Sequence, residues 1–289
     1  MILIQNLIGG LGIGSIYALM GLSFAMIYAS MGIVNLAQGE LAMLGAYFGI
    51  IVYLSLGLPY GVALIAAAVL VALLGLVLER ILRPLTRLNV TFLLIATIAI
   101  GITLQNIATF VWGNEGIGMP APFGDAPIVI GGVHILPQTL LIIGTTALIM
   151  VALQLFLTRT RWGRAMRAVA QNKEAAGLMG IPLTKMYGLT FAISGAITAM
   201  AGVLAAPIFY VTPTMGVSVV VKAFAASLVG GFGNIYGAVI GGLTIGVLEG
   251  LSAGYISSSY KNVITLALVI LILLFRPWGI FGEKQVKRV

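Results

Sequence analysis

Residues 5–29 read QNLIGGLGIGSIYALMGLSFAMIYA, and this run contains no charged side chain. A helix that crosses a bilayer needs about 20 mostly apolar residues, so the run predicts a membrane-spanning helix. We do not expect a cleaved signal peptide, because no Lys or Arg precedes the run and the apolar stretch is too long. The first predicted element is therefore a span of the membrane.

The composition of the whole chain also indicates a membrane protein. Of its 289 residues, 61% are hydrophobic and only 8% are charged, whereas soluble domains carry about 25% charged residues. The 38 glycines fit a membrane protein, since small residues let membrane helices approach each other closely. We therefore expect an all-α, polytopic membrane helical bundle that forms a single domain over residues 1–289.

Seven further apolar runs predict the remaining helices of this bundle. They lie at about 33–56, 59–78, 91–113, 138–157, 186–210, 236–254 and 262–275. A half-helix from Lys222 to Leu228 is expected to enter the membrane and turn at the glycine-rich break of residues 230–234. Together with the first span, the bundle then has about eight crossings plus a re-entrant element.

Basic residues mark one side of the predicted bundle. Thirteen of the 15 Lys and Arg residues form three clusters: Arg80, Arg83 and Arg87; Arg159, Arg161, Arg164, Arg167, Lys173 and Lys185; and Arg276, Lys284, Lys287 and Arg288. Cytoplasmic loops collect Lys and Arg, and the loop at residues 114–136 has neither. We expect a periplasmic N-terminus and a cytoplasmic C-terminus, so the net charge of +8 reflects topology and no nucleic-acid partner is expected.

Several kinds of site are excluded by residue types that the chain lacks. It has no cysteine, which rules out a thiolate metal site, and its single histidine, His134, cannot by itself form a histidine-based metal site or a proton relay. No Walker A sequence occurs, so we expect no ATP site in this chain. We expect no catalytic residue, no bound metal and no cofactor in the chain itself.

Three charged residues lie within predicted apolar segments, namely Glu40, Lys222 and Glu249. A charge at the centre of a spanning helix costs about 2.5–3.5 kcal/mol on insertion scales, so such residues usually face a cavity or a partner. One interpretation is that they line a translocation pathway together with Asn35 and Gln38. The other is that Lys222 pairs with one of the two carboxylates as a structural lock, or that Lys222 and Glu249 reach an interface.

Both halves of the chain contain an interrupted apolar segment. One interruption lies near residues 32–40, and the other, near residues 230–236, contains Gly230, Gly231 and Gly233. Paired interruptions in corresponding positions point to a pathway at the middle of the membrane between internal repeats. Irregular backbone at that depth is tolerated only where protein or water covers it.

Residues 158–182 form a polar, basic connection that is long for a link between two helices. Residues 164–178 are expected to form a short helix that Pro182 ends. Such a helix outside the membrane is either a docking surface or an ordinary basic cytoplasmic loop. Glu174-Ala175-Ala176, followed by Gly180, resembles the EAA loop of ABC importer permeases, although Ile181-Pro182 follow the glycine more closely than in that family.

That resemblance implies that the connection is the coupling helix, which sits in a groove of an ATPase subunit. The residues it assigns to coupling are Arg161, Gly163, Arg164, Arg167, Glu174, Ala175, Ala176 and Gly180. Residues 32–45, the segments 222–224 and 229–242, and the tail at 276–282 extend the likeness. In order and spacing, over about residues 5–282, they resemble the LivH-type permeases of the branched-chain amino-acid ABC importer family.

The family implies a permease subunit in the bacterial inner membrane that translocates branched-chain or other hydrophobic amino acids. Its expected partners are a second homologous permease subunit, two ABC ATPase subunits that bind ATP and Mg, and a periplasmic substrate-binding protein. A permease of the same superfamily for urea or amides is an alternative, and a stand-alone secondary transporter or channel is another.

Overall fold

The computed structural model describes residues 2–87, 89–257, 260–276 and 278–282. Their helices are α1 (Ile2–Met31), α2 (Gln38–Ile50), α3 (Tyr60–Leu82), α4 (Val90–Trp112), α5 (Pro137–Arg159), α6 (Arg161–Gln171), α7 (Lys173–Leu178), α8 (Leu183–Ala205), α9 (Met215–Gly230), α10 (Ile235–Tyr255) and α11 (Lys261–Phe275). A π-helical turn at Ile51–Ser55 extends α2, and a 3-10 turn at Arg83–Arg87 extends α3. Pro277, Lys284, Lys287 and Arg288 of the predicted basic tail lie outside the described residues.

The predicted polytopic helical bundle is confirmed. Six helices are long and apolar enough to cross a membrane, namely α1, α3, α4, α5, α8 and α10, and the shorter α9 and α11 are also apolar. The outer faces of α3, α4 and α5 expose large hydrophobic side chains, as expected for surfaces in contact with lipid. The chain is a multi-pass membrane protein.

Helix α1 is the central element of the bundle and is buried over most of its length. It packs antiparallel to α10 at Gly10 and Gly14, which face Gly246 and Gly242. A Cβ atom added at Gly14 would lie 3.0 Å from the Gly242 carbonyl oxygen. The absence of side chains at this crossing lets the two backbones touch, which is how membrane helices gain packing without a hydrophobic driving force.

The bundle has two distinct ends. At one end, which we call the basic end, the last turns of α1, α3 and α5 meet α6, α7 and the first turn of α8. At the other, the hairpin end, strands β1 (Ile128–Ile130) and β2 (Val133–Ile135) precede α5. Arg80, Arg83 and the described basic residues of 159–185 belong to the basic end, so one end collects the positive charge.

Helix α2 begins at the middle height of the bundle. Gln38, its first residue, donates a hydrogen bond to Ser194, which is the midpoint of α8. Glu40 lies beside Gly101, the midpoint of α4. From there α2 runs to the hairpin end, where Tyr47 stacks on Trp112 with ring centroids 4.5 Å apart. The interruption predicted near residues 32–40 thus separates α1 from a helix that spans only part of the bundle.

Three differences from the predicted elements concern one loop and the ends of two helices. The expected loop at residues 114–136 contains the antiparallel hairpin β1–β2, whose turn residues Gly131 and Gly132 both have positive φ, the backbone that a two-residue type I′ turn requires. Helix α8 ends at Ala205 and not near residue 210, because Pro207 cannot continue it. Helix α9 begins at Met215, seven residues before the expected half-helix.

Candidate functional site

The segment predicted to dock a partner folds as two helices at the basic end. Helix α6 turns Gly163, Met166 and Val169 towards the bundle and leaves the charged side chains exposed. Gly163 sits against the backbone of α5 at Phe156, where a Cβ atom would collide with the carbonyl oxygen. A glycine is therefore required here for packing, because any side chain would prevent α6 from lying so close to the end of α5. The exposed charges of α6 are Arg161, Arg164 and Arg167.

Asn172 separates α6 from α7, so the single helix expected over residues 164–178 is interrupted. Its extended backbone (φ −157°, ψ 100°) ends α6, and its side-chain oxygen accepts hydrogen bonds from the N–H groups of Glu174 and Ala175, both at 3.0 Å. An Asn side chain in this place satisfies N–H groups that a helix start would otherwise leave unpaired. The side chain of Glu174 remains exposed in the first turn of α7.

Helix α7 ends on Gly180 in a Schellman motif. Gly180 has φ +81° and donates its N–H to the Gly177 carbonyl at 3.0 Å, and Ile181 donates to the Ala176 carbonyl at 3.1 Å. The glycine is needed because its backbone conformation is one that other residues rarely adopt. Pro182 follows and precedes α8.

The far end of α7 presents apolar side chains to solvent. Leu178 is 90% exposed and Met179 is 84% exposed, whereas Ala176 beneath them is buried. Isolated exposed hydrophobic residues are normal on a protein surface. Here, however, two adjacent and almost fully exposed ones lie at the end of a helix that is capped at both ends, and together they form an apolar surface.

A polar cluster lies at the middle height, where α2 begins. Asn35 donates a hydrogen bond to the side chain of Gln38 at 3.1 Å, and Gln38 donates to Ser194 at 3.0 Å and to Thr198. All four side chains are buried. We call Asn35, Gln38, Glu40, Ser194 and Thr198 the mid-height cluster.

Glu40 is the charged member of the mid-height cluster. It is 7% exposed, and its Oε2 accepts no hydrogen bond from any residue that the structure describes. Its position in the first turn of α2 favours a negative charge, because the N-terminus of a helix carries a partial positive charge. Glu40 faces α4 at Gly101, and it has no cationic partner among the described residues.

Lys222 of α9 and Glu249 of α10 form a polar network that is separate from the mid-height cluster. The Lys222 ammonium lies 2.7 Å from Glu249, and Tyr17 donates a hydrogen bond to the other oxygen of that carboxylate at 2.9 Å. Lys222 also donates to the Tyr17 hydroxyl at 3.1 Å, and Lys261 lies 3.6 Å from Glu249. Of the two carboxylates considered from the sequence, the structure pairs Lys222 with Glu249 and not with Glu40.

The glycine-rich break lies at the basic end and not at the middle height. Helix α9 ends at Gly230, and the following turn, with Gly231 and Gly233 at positive φ, leads directly into α10. The carbonyl of Gly230 accepts the N–H of Phe281 at 3.1 Å, and the ring of Phe232 lies 4.2 Å from that of Tyr28.

The mid-height interruption of the second half is instead the start of α9. A Cβ atom added at Gly39 would lie 2.5 Å from the Gly216 carbonyl oxygen, and the reverse holds for Gly216. Helices α2 and α9 therefore begin side by side. Sequence reasoning missed Gly216, and it missed Ser194 and Thr198, which were visible as a polar pair four residues apart on one face of an apolar helix.

Comparison with known proteins identifies the family. The family described as branched-chain amino acid transport system / permease component matches residues 6–273. The high-affinity branched-chain amino acid permease LivH of Escherichia coli K12 is 36% identical over 99% of this chain and 97% of its own length.

Two further relatives extend this similarity. BraD of Pseudomonas aeruginosa is 35% identical over 99% of this chain and 98% of its own, and a probable LivH of Methanocaldococcus jannaschii is 31% identical over 97% and 94%. The chain belongs to the family of permease components of branched-chain amino acid transport systems.

Proposed function

We propose that this chain is the permease subunit of an ATP-driven importer in the bacterial inner membrane and that it translocates branched-chain or other hydrophobic amino acids. The observation that carries the proposal is the exposed apolar end of α7, Leu178 and Met179, on a helix capped by Asn172 and Gly180. Two ABC ATPase subunits bind ATP and Mg, and one of them docks on residues 158–182 of this chain.

The proposed orientation follows from the sorted charges. The basic end faces the cytoplasm, where the ATPases are, and the hairpin end faces the periplasm, where a substrate-binding protein delivers the amino acid. The N-terminus is then periplasmic and the C-terminus cytoplasmic. A second, homologous permease subunit completes the membrane part.

The mid-height cluster is the proposed contact of this subunit with its cargo. A zwitterionic amino acid needs an anionic group for its ammonium and positive potential for its carboxylate. Glu40 supplies the first, and the adjacent N-termini of α2 and α9 supply the second. ATP binding closes the ATPases, and α7 transmits that closure to the bundle, which shifts the population from one open side to the other.

Two other functions are possible for this bundle. A urea or amide permease would use the same polar cluster, and calorimetry on the cognate binding protein distinguishes it by the ligand that protein holds. A stand-alone transporter or channel would transport its solute in liposomes that contain this chain without ATPase subunits.

Docking is tested by co-purification with the cognate ATPase. The double variant L178S/M179S removes two large apolar contacts, each worth about 1.5–3 kcal/mol when buried, so we expect at least a tenfold loss of bound ATPase. The control is F123S, which removes an apolar side chain at the hairpin end that is 68% exposed. Full retention of the ATPase by L178S/M179S would contradict the proposal.

A further inference from the structure

A large groove opens at the basic end between α3 and α8, with the end of α5 and the start of α6 closing one side. Its volume is about 950 Å³. Gly188 of α8 lines the groove, and a Cβ atom added there would make ordinary van der Waals contact with Leu76 at 3.4 Å. Ala192 continues the same shallow face one turn further along α8.

The groove is apolar along most of its length. Its hydrophobic wall consists of Leu76, Val77, Ile81, Phe156, Leu189 and Ala192. Val77 and Ile81 expose about half of their surface, 53% and 51%, so the groove opens sideways at the outer face of the bundle, the face that we expect to contact lipid. An elongated apolar ligand can therefore enter from the membrane.

The rim of the groove carries positive charge. Arg83 is engaged by Glu79 through two hydrogen bonds of 2.9 and 2.7 Å, and the Glu79 side chain is only 2% exposed. Arg80 and Lys185 also line the groove and are exposed, and neither has an ion-pair partner among the described residues. The rim thus offers two uncompensated cations above an apolar wall.

Trp162 stands beside these cations at the start of α6 and is 53% exposed. Tryptophan is enriched at the level of lipid headgroups, because its ring is apolar while its N–H can donate a hydrogen bond. Its position marks the rim as the level at which a headgroup would lie.

We propose that this groove binds one phospholipid with an anionic headgroup, whose phosphate lies at Arg80 and Lys185 and whose acyl chain follows Leu76 and Ala192. Charge complementarity selects this occupant. Basic pockets between membrane helices bind anionic headgroups, and a protein chain seated here would bury two unpaired cations unless it supplied carboxylates. The site is separate from the proposed cargo contact, and of the docking segment, residues 158–182, only Trp162 lines it.

The test is a lipid titration of the full chain in detergent, read by native mass spectrometry. We expect one phosphatidylglycerol to bind at least tenfold more tightly than phosphatidylcholine. The variant R80Q/K185Q should lose about 30-fold in affinity for phosphatidylglycerol, since each juxtamembrane cation contributes about fivefold. The matched control R164Q/K173Q removes one Arg and one Lys at the same end but outside the groove, and should bind as the unaltered chain does.

A second variant tests the apolar wall. A192F fills the groove without changing charge, and we expect it to weaken binding of phosphatidylglycerol while R80Q/K185Q and A192F both keep the elution profile of the folded chain. Inorganic phosphate added as a competitor should not displace the lipid.

Three results would overturn the proposal. The first is equal loss in R80Q/K185Q and R164Q/K173Q, which would mean a general charge effect. The second is displacement by inorganic phosphate, which would mean an anion site only. The third is loss of the lipid from the assembled transporter, which would mean that a protein chain covers the groove.

Discussion

Glu40 and Glu249 are two buried carboxylates that differ in the partners that surround them. Glu249 receives Tyr17, Lys222 and Lys261, so its charge is compensated on several sides. Glu40 is nearly as buried, yet its Oε2 has no hydrogen-bond donor among the described residues. The first carboxylate is part of the packing of α1, α9 and α10, whereas the second has an oxygen that the described residues leave without a donor.

Under the proposed function, Glu249 carries a structural charge and Glu40 a charge that is available to the cargo. Removing one partner of a buried ion pair leaves the other charge in a poor solvent, which costs several kcal/mol. Removing a charge that has no partner costs the fold little. We therefore expect substitution of Glu249 to have the larger effect on stability and substitution of Glu40 to have the larger effect on transport.

The largest expected effect on stability is that of Glu249→Gln. The substitution leaves the Lys222 ammonium, which is 14% exposed, without a full counter-charge, so we expect a loss of about 3–5 kcal/mol in the free energy of unfolding. Unfolding of the purified chain in mixed micelles measures it. The double variant Lys222→Met/Glu249→Gln should recover most of the loss. A loss in the double variant as large as in the single one would show that the pair is not coupled.

A smaller effect is expected where α2 and α9 touch. Gly39→Ala places a methyl group 2.5 Å from the Gly216 carbonyl oxygen and should cost about 1–3 kcal/mol, because the two helix starts must move apart. The same unfolding measurement applies, with Gly9→Ala as the control, since nothing lies within 4 Å of a Cβ atom there. Equal stability of the two variants would mean that this contact does not hold the helices together.

The smallest effect on stability belongs to Glu40→Gln, which we expect to change the free energy of unfolding by less than about 1 kcal/mol, because among the described residues Glu40 has no ion pair and its Oε2 accepts no hydrogen bond. Leucine uptake by the complete importer in proteoliposomes should nevertheless fall at least tenfold. Glu115→Gln, an exposed carboxylate at the hairpin end, serves as the control. Unchanged uptake by Glu40→Gln would remove Glu40 from the proposed pathway.

Long apolar runs were sufficient to predict most of the bundle. The spans expected at 59–78, 91–113 and 138–157 correspond to α3, α4 and α5 with small shifts at their ends. Short elements were harder, because local turn chemistry decides them. The Gly131-Gly132 pair between apolar residues was a visible hairpin signal, and Asn172 was a visible helix cap. Both lay in segments that were interpreted from their overall composition, as a loop and as a basic connection, and not residue by residue.

The sequence alone determined that the chain is a membrane protein, roughly which segments cross the membrane and to which family it is similar. These conclusions depend on composition and on motifs that are local in the chain. Only the tertiary structure decided which carboxylate Lys222 meets, that Gly39 meets Gly216 at the start of α2 and α9, and that Arg80 and Lys185 share one groove. These contacts join residues distant in sequence, and helix crossings, which no local pattern specifies, bring them together.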